Sequence, residues 1–191
     1  MLDAARALIL SGGPFAASAR AVSAATGAPS GSIYHRFPRR DDLVAAAWLR
    51  AQDRFLAAYL GQLTCPDADA GAAAAAVVLT WSAECPEDAA LLLRYSLRDL
   101  LRHQVSGDLT DHADTNQRRL QAAITDFAAS RNRPLADVTL AVVDLPYAVA
   151  RRVLRDRRSP SPDEVKAVRR AASLLLGPAS GVAGAPNASF G

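Results

Sequence analysis

Residues 26–43 read TGAPSGSIYHRFPRRDDL, and the order of punctuation within them decides the fold. Gly27 stands where a helix ends, because glycine takes the left-handed backbone conformation without steric cost. Pro29 and Ser30 open the next helix: proline is tolerated in a first turn, and serine can cap free amides. Ile33 and Phe37, four apart, give that short helix one apolar side, and Pro38 closes it. Asp41 and Asp42 then start a further helix by placing negative charge at its positive end.

Working outward, Leu2, Ala5, Leu8 and Ile9 share a face at helical spacing, and Gly12-Gly13-Pro14 stops that first helix. Ser18 suits the N-cap of a second, with Val22 and Ala25 turned inward. Two short helices joined by a glycine-containing turn form a helix-turn-helix, whose second helix enters the major groove of DNA. Here that helix is roughly Ser30 to Phe37. Ser30, Gly31 and Ser32 are small enough for close approach to bases and phosphates, and Arg36 is long enough to pair with guanine. Tyr34 and His35 carry polar tips suited to phosphate oxygens, and Arg39 and Arg40 precede a helix start, where phosphate is well accommodated.

The charge distribution agrees. Residues 1–50 hold six basic side chains (Arg6, Arg20, Arg36, Arg39, Arg40, Arg50) and three acidic ones, while the rest of the chain holds sixteen of each. All the net positive charge falls in the segment that would meet phosphate.

Beyond residue 63 the reading is a helical body. An apolar helix spans Ala72 to Glu84, and Pro86 opens another through Leu91, Tyr95 and Leu101, broken by Gly107-Asp108. A long amphipathic helix follows from about Asp111 to Ser130. Pro134 to about Arg155 is apolar on several sides, with Pro146 expected to kink it, and Asp163-Glu164 begin a last helix ending at Gly177-Pro178. The fold class expected is all-α: a three-helix DNA-binding head over 1–46, a sensing and dimerising body over 47–177, and a disordered tail over 178–191.

The segment Thr26–Leu43 resembles the signature of the TetR (tetracycline repressor) family, whose members read Ala-Gly-Val-Ser-x-Gly-x-Leu-Tyr-x-His-Phe and then an acidic residue before Leu. Both glycines, the tyrosine and the phenylalanine match in register, and the likeness covers about the first 50 residues. It implies DNA contacts at Ser18, Ser30, Gly31, Ser32, Tyr34, His35, Arg36 and Arg40. Arg40 replaces the family's usual lysine, and Pro14 replaces its usual phenylalanine, with Phe15 displaced by one. The resemblance further implies a homodimer on a palindromic operator, paired through the last two helices, with Val165, Val168, Ala172 and Leu175 as contacts. It also implies a small-molecule ligand that releases DNA. Candidate lining residues are Trp81, Leu92, Tyr95, Arg98, Phe127 and Tyr147, and the scarcity of polar groups among these helices suggests a mainly apolar ligand.

Other classes find little support. The sequence has no glycine-rich phosphate loop, no Gly-x-Ser-x-Gly elbow and no paired His-Glu metal motif, so no enzyme is expected. His103 and His112 fit no ligand spacing, and neither metal nor cofactor is expected. Cys65 and Cys85 make no disulfide framework; Cys85, next to Pro86 at a helix start, is a redox candidate whose plain reading is a cap residue. Met1-Leu2-Asp3 leads into no signal sequence, and the longest apolar run, Ala72 to Leu79, is too short to span a bilayer, which gives a cytoplasmic expectation without membrane contact. The rival reading is a helical adaptor for a partner or small molecule that keeps the head without operator binding.

Overall fold

A computed structural model describes residues 1–177, and the expected tail at 178–191 lies outside the described residues. Those described are all-α, without a strand. The head comprises α1 (Leu2–Gly12), α2 (Ala19–Thr26), α3 (Ser30–Arg36) and the start of α4 (Arg40–Leu63). Ser18 caps α2 by accepting from the Ala21 amide at 3.1 Å, and Gly27 ends that helix at φ 69°, a left-handed value glycine adopts freely. Ile9, Val22, Ile33, Leu43 and Val44 fill the centre of the head, whereas Ala25, expected inside, is exposed.

The body comprises α5 (Ala70–Glu84), α6 (Pro86–Arg94), α7 (Leu97–Leu100), α8 (Gly107–Ser130), α9 (Leu135–Thr139), α10 (Leu145–Arg155) and α11 (Pro162–Leu176). The expected boundary at 46/47 falls inside α4, which runs unbroken from one part into the other. Leu91 and Leu100 of the body sit in the same apolar cluster as Ile9 and Ile33. Head and body are therefore sutured by a shared core as well as a shared helix.

Three differences from the sequence reading have local causes. The helix expected from Pro86 to Leu101 breaks at Tyr95, because Ser96 and Asp99 cap each other to start α7 and the Trp48 indole donates to the Tyr95 carbonyl at 3.0 Å. Gly107-Asp108, expected to break a helix, begins α8 instead. Asp42 accepts from the Ser106 amide at 2.8 Å and fixes the chain at that start. Pro146 produces a π-helical turn, Leu140–Asp144, between α9 and α10. It has no N–H to offer the Val142 carbonyl one turn back, and the buried Tyr59 hydroxyl donates to that oxygen at 2.9 Å. Burial pushes the Tyr59 hydroxyl pKa up, keeping it a donor at any working pH.

α5 is the central helix of the body and approaches its neighbours closely. A Cβ at Gly71 would lie 2.5 Å from Leu176 Cδ1 and 2.7 Å from Phe127 Cζ. Glycine there lets α11 and α8 close on α5. Alanines at 72, 74 and 75 bury the rest of that face.

Candidate nucleic-acid interface

α3 is short, and its two large apolar side chains anchor it. Ile33 is fully buried and Phe37, just past its end, is nearly so. The remaining positions, Ser30, Gly31, Ser32, Tyr34, His35 and Arg36, are all exposed. Pro29 rather than Ser30 occupies the N-cap position, so the Ser30 hydroxyl stands in the first turn without an intramolecular partner among the described residues. Ser32, Tyr34 and His35 likewise make no side-chain bond there. Arg36 touches only the Phe37 ring, 5.6 Å away. The helix thus presents one continuous face of donors with little internal competition, as groove contact requires.

Arg20, in the first turn of α2, is also exposed and has no partner among the described residues. Sequence reasoning counted its charge without singling it out as a candidate contact, although its position two residues after the Ser18 cap was a usable signal. Ser18 itself is committed to capping. Arg39 is largely exposed, donating to the Gln104 carbonyl at 3.1 Å and lying 3.8 Å from the Asp42 carboxylate.

Arg40 is elsewhere. Its guanidinium turns inward, 2.5 Å from the Asp41 carboxylate and 3.1 Å from the Leu100 carbonyl, and it also donates to the Pro14 carbonyl. The Phe15 ring stacks on it at 5.0 Å and on Arg102 at 3.9 Å. A side chain so occupied fastens the α1–α2 loop and α7 to α4. The physical cause is the displaced aromatic: Phe15 lies outside the core, half exposed, and its face holds the arginine.

Asp41 and Asp42 do more than favour a helix start. Both are buried. Asp41 accepts from the amides of Arg102 and His103 at 2.9 and 2.7 Å, so the loop between α7 and α8 hangs from the first turn of α4. Burial opposes ionisation of Asp41, but these two amides and the Arg40 guanidinium outweigh it and hold its carboxyl below the usual carboxylate range. A second fastener joins Arg6 of α1 to Asp88 and Glu87 of α6, with Arg54 of α4 at 3.0 Å from the other Asp88 oxygen.

The expected sensing residues separate into different places. Trp81, Leu92 and Tyr147 line one apolar cleft with Phe55, Val78, Ala89 and Leu93, between α4, α5, α6 and α10. Its volume is about 80 Å³, below the ~300 Å³ at which ligand pockets begin. Tyr95 packs instead against the core of the head. Phe127 lies across the body against α11, and Arg98 is exposed on α7. Among the expected dimer contacts, Val168 and Ala172 turn inward onto α5 and are buried within the subunit, because they continue the stripe that meets the alanine face. Val165 is partly buried against the same core. Leu175 is 40 % exposed, and its neighbour Leu174 is 77 % exposed.

Cys65 and Cys85 are free thiols, Cys85 at the N-cap of α6. Among the described residues no group of His, Cys, Asp and Glu could hold a metal, and no helix is long and apolar enough to cross a membrane. His112 instead joins Asn116 on Asp53, at 2.9 and 2.7 Å, tying α8 to α4.

The chain is a helix-turn-helix head fused through one long helix to a helical body. Residues 1–47 match the profile described as bacterial regulatory proteins, tetR family. Solved structures of the same build include the fatty acid degradation regulator FadR from Bacillus halodurans, 17 % identical over 92 % of this chain and 96 % of that one, with TM-score 0.66. A TetR family transcription regulator from Marinobacter aquaeolei VT8 is 14 % identical over 91 % and 92 %, at 0.66. The TetR family transcriptional regulator PfmR from Thermus thermophilus is 20 % identical over 92 % and 96 %, at 0.60. No curated protein matches the sequence. The head is thus similar to the tetR-family regulatory proteins over residues 1–47, and the chain shares the fold of these solved structures.

Proposed function

We propose that this chain is a sequence-specific, non-enzymatic DNA-binding regulator that works as a cytoplasmic homodimer and represses from a palindromic operator until a small ligand binds. The observation that carries the reading is α3: Ile33 and Phe37 buried beneath it, with Ser30, Gly31, Ser32, Tyr34, His35 and Arg36 all outward. Tyr34, His35, Arg20 and Arg39 hold phosphates, and Arg36 reads a base edge. One such helix covers few base pairs, so two heads are needed, on half-sites about 34–36 Å apart or a multiple of that. The partner subunit docks on the exposed side of the last helices, where Leu140, Ala167, Leu174 and Leu175 leave apolar surface open.

A ligand in the Phe55–Trp81–Tyr147 cleft would wedge α6 away from α4. Arg6, Asp88 and Arg54 connect those two helices to α1, so a shift of α6 moves the head. The ligand needs only a higher affinity for the spread state than for the operator-bound one.

The test is selection of bound duplexes from a random library with purified protein, beside the Tyr34→Phe/Arg36→Ala variant. An enriched palindrome that the variant fails to enrich supports the regulator. No enrichment by folded dimer overturns it in favour of an adaptor that keeps the head for other purposes.

A further inference from the structure

The loop between α7 and α8 belongs to the body in sequence but is fastened to the head. The amides of Arg102 and His103 donate to Asp41 at 2.9 and 2.7 Å, and the Ser106 amide donates to Asp42 at 2.8 Å. The Arg39 guanidinium donates to the Gln104 carbonyl at 3.1 Å. All four ties use backbone atoms of the loop, so its side chains are not consumed by them. Arg102, His103 and Gln104 are exposed.

One of these side chains is held ready. The Arg102 guanidinium lies over the Phe15 ring, 3.9 Å from its centroid, and has no carboxylate partner among the described residues. Asp41 and Asp42 are buried, and the amides of its own loop occupy them. A ring under a guanidinium fixes its plane and leaves the N–H groups at its edge open, so a phosphate is taken with little further ordering. The position adjoins the groups already assigned to phosphate. Arg39 stands between the end of α3 at Arg36 and the start of α4 at Arg40, and it is bonded to this loop two residues from Arg102. A duplex carries a charge about every 1.7 Å of its axis, so a cation beside Arg39 meets a neighbouring phosphate.

The other gathering of arginines differs in this respect. Arg94, Arg151, Arg152, Arg155 and Arg157 line a groove of about 510 Å³ between α6 and α10, and none of the residues lining it belongs to the head.

We propose that Arg102 is a DNA-phosphate contact, so that the interface crosses from the head onto the body. Phe15 seats its guanidinium, and Asp41 fixes the backbone that carries it. The proposal rests on the regulator reading above and extends that site to a residue beyond the matched segment 1–47. Because the contact sits on the loop joining α7 to α8, any displacement of that loop from the first turn of α4 removes it.

The experiment follows retention of the random-library duplex by the full chain through fluorescence anisotropy over a series of salt concentrations. Wild type is compared with Arg102→Gln, with Arg102→Lys, and with Arg151→Gln, which removes the same charge from the groove between α6 and α10. Arg102→Gln should lower the slope of log affinity against log salt by about 0.9 and weaken binding to all duplexes alike. Arg102→Lys should keep the slope, because the charge remains, and Arg151→Gln should leave it unchanged. A wild-type slope in Arg102→Gln overturns the contact. An equal fall in Arg151→Gln overturns it too, since the effect would then belong to the field of the whole protein. A fall in Arg102→Lys as large as in Arg102→Gln overturns it in favour of a structural role for the stack on Phe15. Absence of any duplex retention by wild type overturns the regulator reading and the contact together, whereas retention that Arg102→Gln leaves unaltered overturns the contact alone.

Discussion

Six basic side chains lie in the first fifty residues, and six more line or flank the groove between α6 and α10, yet the two groups are used differently. In the head, Arg6, Arg40 and Arg50 turn to Asp88, Asp41 and Asp3 and work as fasteners. Only Arg20, Arg36 and Arg39 remain outward. At the groove, Arg94, Arg151 and Arg157 have no carboxylate partner among the described residues. Arg6 and Arg40 answer to acids that the fold buries, where an uncompensated charge would be costly, whereas Arg50 meets an exposed one. Where no such acid stands nearby, the cation stays available to a ligand. Counting charge along a chain cannot separate the two cases.

The largest expected effect breaks the tie at Arg40. Arg40→Ala removes a partner from the buried Asp41 and frees the Pro14 and Leu100 carbonyls, at a cost of about 3 kcal/mol in urea unfolding. Arg40→Lys should recover only part, since an ammonium cannot serve those three acceptors in the plane of a guanidinium. A cost under about 1 kcal/mol, together with collapse of DNA retention, would return Arg40 to the phosphate contacts and erase the contrast.

Acid titration sharpens the same point. Asp41 has a folded pKa below its unfolded value of about 3.9. Its contribution is therefore complete above about pH 4 and is lost as pH falls through the folded pKa. Glu164, drawn down to about 2 by Arg158 and the Ser161 amide, changes in the same direction at the first turn of α11. The Asp41→Asn protein should show a flatter stability profile between about pH 4 and pH 2, and Glu164→Gln should flatten it by a separate increment in the body, at α11. Parallel profiles for Asp41→Asn and wild type would show that the tie does not depend on the charge.

Much of this was legible in residues 26–43. Gly27, Pro29 and Pro38 punctuate locally, so α2, α3 and the start of α4 follow from their neighbours in sequence, as does the outward set on α3. Several side chains whose surroundings the sequence did not show depend on distant partners. Arg40 answers to Leu100 and Pro14, and Tyr95 to the Trp48 indole and the core of the head. Val168 and Ala172 follow the alanine face of α5, and an apolar stripe does not say whether its partner lies in the same chain or in another. The arginines of α10 were read as part of a neutral body, because acids elsewhere balance them in the sum. Only the fold brings Arg94 opposite them.

DNA retention gives a smaller effect that bears on the outward arginines. Arg36→Ala should lower the slope of log affinity against log salt by about 0.9 for each phosphate it holds, or leave the slope intact and relax one base position if it reads guanine. Arg20→Ala should lower the slope without touching sequence preference. An Arg20→Ala protein with the wild-type slope would place α2 away from the phosphates.

The smallest effect is the most diagnostic for the groove. Arg151→Gln removes a side chain with no carboxylate partner, whose one ring contact is at 5.7 Å, so stability should stay within about 0.5 kcal/mol of wild type. Removing one of several mutually repelling cations should if anything raise the melting temperature slightly at low salt, and the rise should vanish once the Debye length shrinks to about 3 Å at 1 M. A clear drop in melting temperature at low salt would mean that Arg151 is a fastener like Arg40. The positive groove would then be part of the scaffold, and the contrast between the two regions would disappear.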